Sequence, residues 1–405
     1  MQNVHTFQKH YVSSVNIINP LINHTHNPLH KSALQISFCV NNKHNVSPIS
    51  LKMTSIKSEE SMVKYKVAVV GSGNWGCVAA KLIASNTLKN NIFHDEVRMW
   101  VYDETLPNGE KLSNVINQTN ENVKYLPGVR LGKNVIADPD LYHTVRDANM
   151  LVFVTPHQFV EGVCKTLAGK IREDVQSISL IKGMEVKVDG PCMISSVISK
   201  YLGNSCCVLM GANIADEIGK ENFTEATIGF KDNRDIAERW AQLFSTPYFA
   251  VTAIQDVEGV ELCGTLKNVV AIAAGFVDGL NMGNNTKAAI MRIGLNEMRA
   301  FSKRLFPSVR DETFFESCGV ADLIATCFGG RNRKVAEAFA TCGGKKPFEE
   351  LEAQMLQGQK LQGVLTAKEV YEVLKNKKWL DSFPLFRTIH DICIGNKPVS
   401  AIVHL

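Results

Sequence analysis

The chain has 405 residues, enough for two to three domains at about 150 residues each. Hydrophobic residues make up 45% and charged residues 21%, which provides for a packed core and excludes a disordered regulator, a collagen and a small disulfide scaffold. The formal charge of +4 sits in the first 58 residues, which carry five Lys and no Arg, Asp or Glu; the remainder has 39 basic against 40 acidic side chains, so the sum is no nucleic-acid footprint.

No run reaches the roughly 18 consecutive apolar residues that span a bilayer, so no membrane partner is expected. The eleven Cys form no C-x-x-C pair and show no regular spacing. They are read as reduced thiols of a cytosol-like compartment, without a metal site.

In chain order, residues 1–62 come first as a distinct segment. It holds six His and eight Asn before residue 46 and has no sustained hydrophobic period. A disordered leader is expected there. A transit peptide is the alternative, although that class is usually Arg-rich. Met53 opens Met-Thr-Ser-Ile-Lys, an alternative translation start.

From Lys64 the texture changes. Lys66–Val70 reads as a strand, running into Gly71-Ser-Gly-Asn-Trp-Gly76 and then a helix. Further strands are expected at Val97–Tyr102, Met150–Val154, Ser177–Ile181 and Cys206–Met210, separated by helical or loop segments. Continuous apolar strands alternating with helices indicate a parallel sheet covered on both faces. After about Ala253, helical periodicity dominates at Val257–Asp278, Thr286–Phe306, Val335–Ala340 and Ala367–Leu374. The expected fold is therefore α/β: a Rossmann-like, doubly wound, mostly parallel sheet over 63–253, followed by an all-helical domain over 254–405.

A G-x-G-x-x-G between a strand and a helix has the context of a dinucleotide loop. Gly71 permits the tight turn, Gly73 the approach of a pyrophosphate, and Gly76 close packing of the helix on the sheet. The pyrophosphate then sits at the positive helix N-terminus. Asp103 and Glu104 follow the second strand, 27 and 28 residues after Gly76. Two carboxylates repel a 2′-phosphate, so NAD is favoured over NADP; Tyr102 is an alternative contact to the adenine edge.

Two lysines stand out. On the Val257–Asp278 helix, Glu258, Glu261, Thr265 and Asn268 form a polar stripe, whereas Lys267 has Cys263, Gly264, Val270 and Ala271 as its helical neighbours. Such a lysine either snorkels to water or is desolvated, with its pKa lowered into the range for proton transfer. Lys182 follows the Ser177–Ile181 strand at the sheet edge where ligands bind, as an electrophile, an anion contact or a solvated turn residue. Gly329-Gly-Arg-Asn-Arg-Lys334 places glycines before anion donors: Arg331 for a bidentate phosphate contact and Asn332 for amide donors. A plain basic helix start is the alternative.

Together these segments resemble the NAD-dependent glycerol-3-phosphate dehydrogenase family over residues 64–405, closest to its plant-type cytosolic branch. The resemblance is carried by the glycine loop, Pro156-His-Gln-Phe159, Ser179-Leu-Ile-Lys-Gly183, Gly211-Ala-Asn-Ile-Ala215, Leu266-Lys-Asn268, Gly319-Val-Ala-Asp322, Gly329-Gly-Arg-Asn-Arg333 and Gly358-Gln-Lys-Leu-Gln-Gly363. It implies reversible reduction of dihydroxyacetone phosphate by NADH to sn-glycerol 3-phosphate. It assigns Lys267 as general acid/base, with Lys182 and Asp322 beside it. Lys182, Asn213, Asn268, Thr326, Arg331 and Asn332 take the substrate. Gly71, Ser72, Gly73, Asn74, Trp75, Gly76, Tyr102, Phe159, Lys182, Ala215, Arg331, Lys360 and Gln362 take the cofactor.

A cytoplasmic homodimer with no nucleic-acid or membrane partner is the accompanying expectation; organellar targeting by residues 1–52 is the alternative location. Two other readings compete with this one. A related dehydrogenase anchoring a carboxylate would discriminate less for phosphorylated substrates, and a dinucleotide sensor would bind NADH without turnover.

Overall fold

The computed structural model describes residues 64–187, 190–356 and 361–405. The segment read as a leader, residues 1–62, lies outside them. Strand β1 (Tyr65–Val70) leads through the glycine turn into helix α1 (Asn74–Thr87) and strand β2 (Phe93–Trp100). Helix α2 (Leu112–Thr119), β3 (Val135–Asp138), α3 (Leu141–Val145), β4 (Met150–Phe153) and α4 (His157–Leu167) continue the alternation. β5 (Gln176–Ser179) precedes a hairpin of β6 (Met184–Lys187) and β7 (Gly190–Met193), then α5 (Ile194–Leu202), β8 (Cys206–Met210) and α6 (Ala215–Gly219). β9 (Thr224–Gly229), α7 (Arg234–Phe244) and β10 (Phe249–Ile254) close this half.

Eight strands form one sheet in the order β10-β9-β8-β5-β4-β1-β2-β3. The six from β3 to β8 run parallel, and β9 pairs antiparallel with β8 while β10 pairs parallel with β9. The mostly parallel, doubly wound sheet read from the sequence is therefore present, extended by a reversed pair. β4, between β1 and β5, is buried throughout. A strand with both faces covered needs an unbroken apolar run, which Met150-Leu-Val-Phe153 supplies.

Several boundaries differ from the sequence reading. β3, β9, β10 and the hairpin were not anticipated. β2 starts at Phe93 and ends at Trp100 rather than Tyr102. β5 stops at Ser179, whose hydroxyl accepts the Ile181 amide at 3.3 Å, so Lys182 stands in the loop beyond the strand.

The rest is helical: α8 (Val257–Gly279), α9 (Gly283–Leu305), α10 (Asp322–Gly329), α11 (Arg331–Thr341), α12 (Phe348–Met355), α13 (Gln362–Asn376) and α14 (Pro384–Cys393). Asp256 starts α8 by accepting the Gly259 amide at 2.8 Å, satisfying one of the helix's orphan donors. Every residue from Gly259 to Val277 is buried, so α8 is enclosed on all sides by other elements, which its mostly apolar sequence permits. It is long and apolar enough to cross a bilayer, but its hydrophobic window is entirely buried in protein. Fully buried Leu262, Leu266, Ile272 and Phe276 each contribute about 1.5–3 kcal/mol of burial. α8 also packs on β8 and β9, which brings its midpoint to the C-terminal edge of the sheet.

Two glycines decide how α11 sits. A Cβ on Gly275 would lie 2.3 Å from the Arg333 carbonyl oxygen, and one on Gly279 2.4 Å from that of Glu337. α8 and α11 therefore touch backbone to backbone, which fixes the N-terminus of α11 beside Asn268. Gly275→Ala gains about 1 kcal/mol of helix propensity, but overpacking against rigid backbone costs about 1–3 kcal/mol. A lower denaturant midpoint is expected, and an unchanged or higher midpoint would show that the helices can part freely.

Candidate active site

The sheet reverses its winding between β1 and β4, so a crevice opens at their C-terminal ends, the position where open α/β sheets take ligands. The glycine loop lies there. Gly71 has φ +126°, and a Cβ on it would sit 3.0 Å from the Val154 carbonyl carbon. A Cβ on Gly76 would sit 2.3 Å from the Gly71 carbonyl oxygen. A Cβ on Gly73 would meet nothing within 4 Å. Two of the glycines thus serve the protein's own packing, and Gly73 borders open space through which a pyrophosphate could approach the backbone.

The first intrahelical bond of α1 is Cys77 N–H to the Gly73 carbonyl at 3.0 Å. The amides of Asn74, Trp75 and Gly76 precede it and are the helix's free donors for an anion. Ser72 is buried, and its carbonyl accepts the Asn122 amide at 3.0 Å, which pins the turn. The Trp75 indole turns aside, donating to the Asn213 carbonyl at 3.0 Å.

Tyr102 and Phe159, 76% and 58% exposed, stand beyond β2 and at the start of α4. Exposed rings at these two strand ends suit the faces of a dinucleotide. The acidic pair behaves differently from its sequence reading. Glu104 is engaged by Lys124 and the Tyr125 hydroxyl, so its charge is neutralised. Asp103 accepts from the Ser113 hydroxyl at 2.8 Å and amide at 3.2 Å, neither of them a cation. Asp103 is therefore the one of the two whose charge could still repel a 2′-phosphate.

The second half of the site centres on one carboxylate. Asp322, the first residue of α10, is 1% exposed. One oxygen accepts from Lys267 and the other from Lys182 at 2.9 Å. Lys267 also donates to the Thr326 hydroxyl at 2.6 Å, and Lys182 to the Gly211 carbonyl at 3.2 Å. Lys267 does not snorkel: it is 5% exposed, in the middle of the buried α8. Desolvation is the main cause that lowers its pKa, to about 7; Asp322 opposes the shift and the Lys182 ammonium adds to it. An ammonium with that pKa gives and takes protons near neutrality, whereas an ordinary lysine is a weak acid there.

The polar stripe read on α8 lies inside the protein from Glu261 onward. Glu261 is fully buried, accepting from the Ser195 amide at 3.2 Å and from its hydroxyl at the start of α5. Burial raises its pKa to about 7. Asn268, further along, accepts at its oxygen from Asn332 at 2.9 Å, and the Asn332 oxygen accepts the Gly363 amide at 2.9 Å. α8, α11 and α13 thus meet on two amide side chains.

Arg331 is the first residue of α11, after the extended Gly330, and keeps contact with solvent. Protein crowding nonetheless lowers its pKa from the ordinary value. Arg333 in the same run is structural: it reaches Asp278 at 2.6 Å and Glu337 at 2.9 Å, and Lys287 also reaches Asp278, at 2.7 Å. Asn213 and Ala215, after β8, are each 9% exposed. Gln362 opens α13. Lys360 lies outside the described residues.

The Gly211 carbonyl was missed by sequence reasoning, since a backbone acceptor leaves no residue-type signal. The Asp278 hub was missed as well. A desolvated lysine paired with a buried carboxylate, a helix that starts at Arg331, and a glycine turn between a parallel strand and a helix are together the parts of a nicotinamide-nucleotide-dependent dehydrogenase.

Comparison with known proteins narrows that class. The model of the NAD-dependent glycerol-3-phosphate dehydrogenase N-terminus matches residues 66–236, and that of the C-terminus residues 256–404. A glycerol-3-phosphate dehydrogenase [NAD(+)] from Cuphea lanceolata is 76% identical over 84% of this chain and 91% of its own length. A chloroplastic glycerol-3-phosphate dehydrogenase [NAD(+)] from Arabidopsis thaliana is 74% identical over 84% and 85%. The solved structure of a glycerol-3-phosphate dehydrogenase from Saccharomyces cerevisiae aligns with TM-score 0.79 at 44% identity, covering 84% of this chain and 99% of that one. The chain belongs to the NAD-dependent glycerol-3-phosphate dehydrogenase family, and it is an NAD-using oxidoreductase.

Proposed function

We propose that the chain interconverts dihydroxyacetone phosphate and sn-glycerol 3-phosphate with NAD(H), using Lys267 as its acid and base. The observation that carries the assignment of roles is the desolvated Lys267 sharing Asp322 with Lys182. The chemistry a bound NADH would supply is a hydride for the carbonyl carbon. The ketone oxygen then gains negative charge, and Lys267 gives it the proton that completes the alcohol. In the reverse direction neutral Lys267 takes the hydroxyl proton. Lys182 stabilises charge on the same oxygen, and Asp322 and Thr326 orient the Lys267 amine. Asn213 and Asn268 complete the polar wall, while Arg331 and Asn332 hold the phosphate at the start of α11.

The dinucleotide is assigned to the Gly71–Gly76 loop, Tyr102, Phe159, Ala215, Lys182, Arg331, Gln362 and Lys360. The division into a cofactor domain over 63–253 and a substrate domain over 254–405 belongs to this proposal. So do a homodimeric state and a cytoplasmic location. The rival location, an organelle reached through residues 1–52, draws support from the relative named chloroplastic; tagging the full chain and a chain starting at Met53 for imaging distinguishes the two.

The deciding assay is oxidation of NADH with dihydroxyacetone phosphate, run beside NADPH and beside unphosphorylated dihydroxyacetone. Fast turnover is expected with NADH and the phosphate alone. NADH binding without turnover would sink the proposal. Arg331→Ala removes hydrogen bonds to a charged group, each worth about 1.5–3 kcal/mol, so kcat/KM for the phosphorylated ketone should fall about 10- to 100-fold. With NADH saturating, the slow reaction with unphosphorylated dihydroxyacetone should hardly change; an equal loss on both substrates would then remove Arg331 from the phosphate site.

A further inference from the structure

The segment after β8 carries Gly211, Asn213 and Ala215 away from the sheet, and α1 holds it from the side. The Trp75 indole donates to the Asn213 carbonyl at 3.0 Å, the Asn74 amide to Asp216 at 3.2 Å, and the Lys81 ammonium to the Gly219 carbonyl at 2.9 Å. Asn74 and Lys81 are seven residues apart, two turns along one face of α1, so their two bonds hold the segment along that face while Trp75 holds it from the adjoining one. The indole itself is fixed by packing edge-on to the fully buried Phe249, with ring centroids 6.2 Å apart at 66°.

On its inner side the same segment faces the reacting groups. The Gly211 carbonyl takes the Lys182 ammonium. The Asn213 side-chain oxygen is buried and has no hydrogen-bond partner among the described residues. It sits so close to the backbone that a Cβ on Gly211 would lie 2.6 Å away. A buried amide oxygen left without a donor costs free energy, so its position is imposed by the backbone that carries it.

We infer that Trp75 is a positioning residue for the substrate site: its indole N–H fixes the Asn213 backbone, and thereby the Asn213 amide, relative to the cofactor loop from which α1 starts. This rests on the placement of Asn213 in the substrate wall proposed above. The Trp75 ring is engaged by Phe249 and by the Asn213 carbonyl, so it acts through Asn213. It ties the helix that receives the pyrophosphate to the segment that meets the ketone, so the two ligands are held in one register. Misplacement of a reacting group by about 1 Å costs about 10²-fold in rate. Loss of a single neutral hydrogen bond, with the ring retained, should cost about three- to tenfold.

The test replaces Trp75 with 3-benzothienylalanine, which keeps the bicyclic shape and substitutes sulfur for the N–H. Trp75→Phe serves as the genetically encoded counterpart. Each is measured in the wild-type and Asn213→Ala backgrounds, reading the NADH dissociation constant, kcat/KM for dihydroxyacetone phosphate at saturating NADH, and Tm.

Expected is a loss of about three- to tenfold in kcat/KM, with NADH affinity within about twofold and Tm nearly unchanged for the isostere. In the Asn213→Ala background the isostere should cost less than about twofold more, because coupled residues are non-additive. Full additivity in that cycle, or a loss confined to NADH affinity, would overturn the inference. If the phenylalanine variant does not fold, the isostere alone decides. A wild-type protein without turnover of the phosphorylated ketone overturns the proposed function and this inference with it; wild-type turnover with additive losses overturns this inference alone.

Discussion

Replacing Lys267 with Ala is expected to lower kcat by about 10²–10⁴-fold in both directions, the range of a general acid–base contribution, while NADH binds as before. Three features support that expectation. The amine is within hydrogen-bond reach of Asp322 and Thr326 and is therefore held in one place. Its pKa, lowered by burial to about 7, matches the working pH of a proton carrier. The dinucleotide loop is built from α1 and the ends of β1 and β4, so removing a side chain from α8 leaves it intact. The fold should also survive, because the change removes a costly buried charge and leaves Asp322 its bond to Lys182. Stopped-flow measurement of hydride transfer in Lys267→Ala, with NADH titrated by fluorescence, checks both halves. Normal hydride transfer would exclude Lys267 as the acid.

The same assignment carries a pH dependence whose sign differs between directions. Reduction needs protonated Lys267, so its rate should fall as pH rises through about 7. Oxidation needs the neutral amine, so its rate should fall as pH drops through the same value.

How much of this was legible beforehand depended on the range of each interaction. The glycine loop was readable because its glycines each serve a local purpose. The crowding of Gly76 against Gly71 spans five residues, and the open space at Gly73 is set by the same turn. Lys267 was readable as an anomaly, since a lysine among Cys263, Gly264, Val270 and Ala271 conflicts with its helix. Whether it snorkelled was not readable. That outcome depends on α10, α11 and α13 closing around α8, and helical spacing carries no information about partners so distant in sequence. For the same reason the polar stripe gave no sign that Glu261 is a buried acceptor for the start of α5. The Lys182–Asp322 contact spans 140 residues; only the family resemblance placed the two together. β3 and β10 are the two edge strands and only partly buried, so neither needs the unbroken, doubly covered apolar run by which the inner strands were recognised. The pairing of both carboxylates after β2 was likewise invisible, because Lys124 and Ser113 reach them through the tertiary fold.

Asp322→Asn should have the second large effect, and it separates tuning from mere placement. In the folded protein the Asp322 carboxylate raises the Lys267 pKa, and both desolvation and the Lys182 ammonium lower it. An amide keeps much of the hydrogen-bonding shape but no charge, so two lysines then face each other without their shared anion. The Lys267 pKa must fall further. Both rate profiles should move to lower pH by about one pH unit or more, since one unit corresponds to only about 1.4 kcal/mol of altered interaction. At pH 7 reduction should suffer more than oxidation, because the protonated fraction shrinks. Breaking a buried ion pair by removing one partner costs about 3–5 kcal/mol. Here Lys267 can shed its proton and relieve part of that penalty, so the loss of stability should be smaller at pH 8 than at pH 6. Denaturant midpoints at the two pH values, set beside the two rate profiles, check the argument. Unshifted profiles with a lowered midpoint would make Asp322 a brace for α10 rather than the group that sets the proton affinity of Lys267.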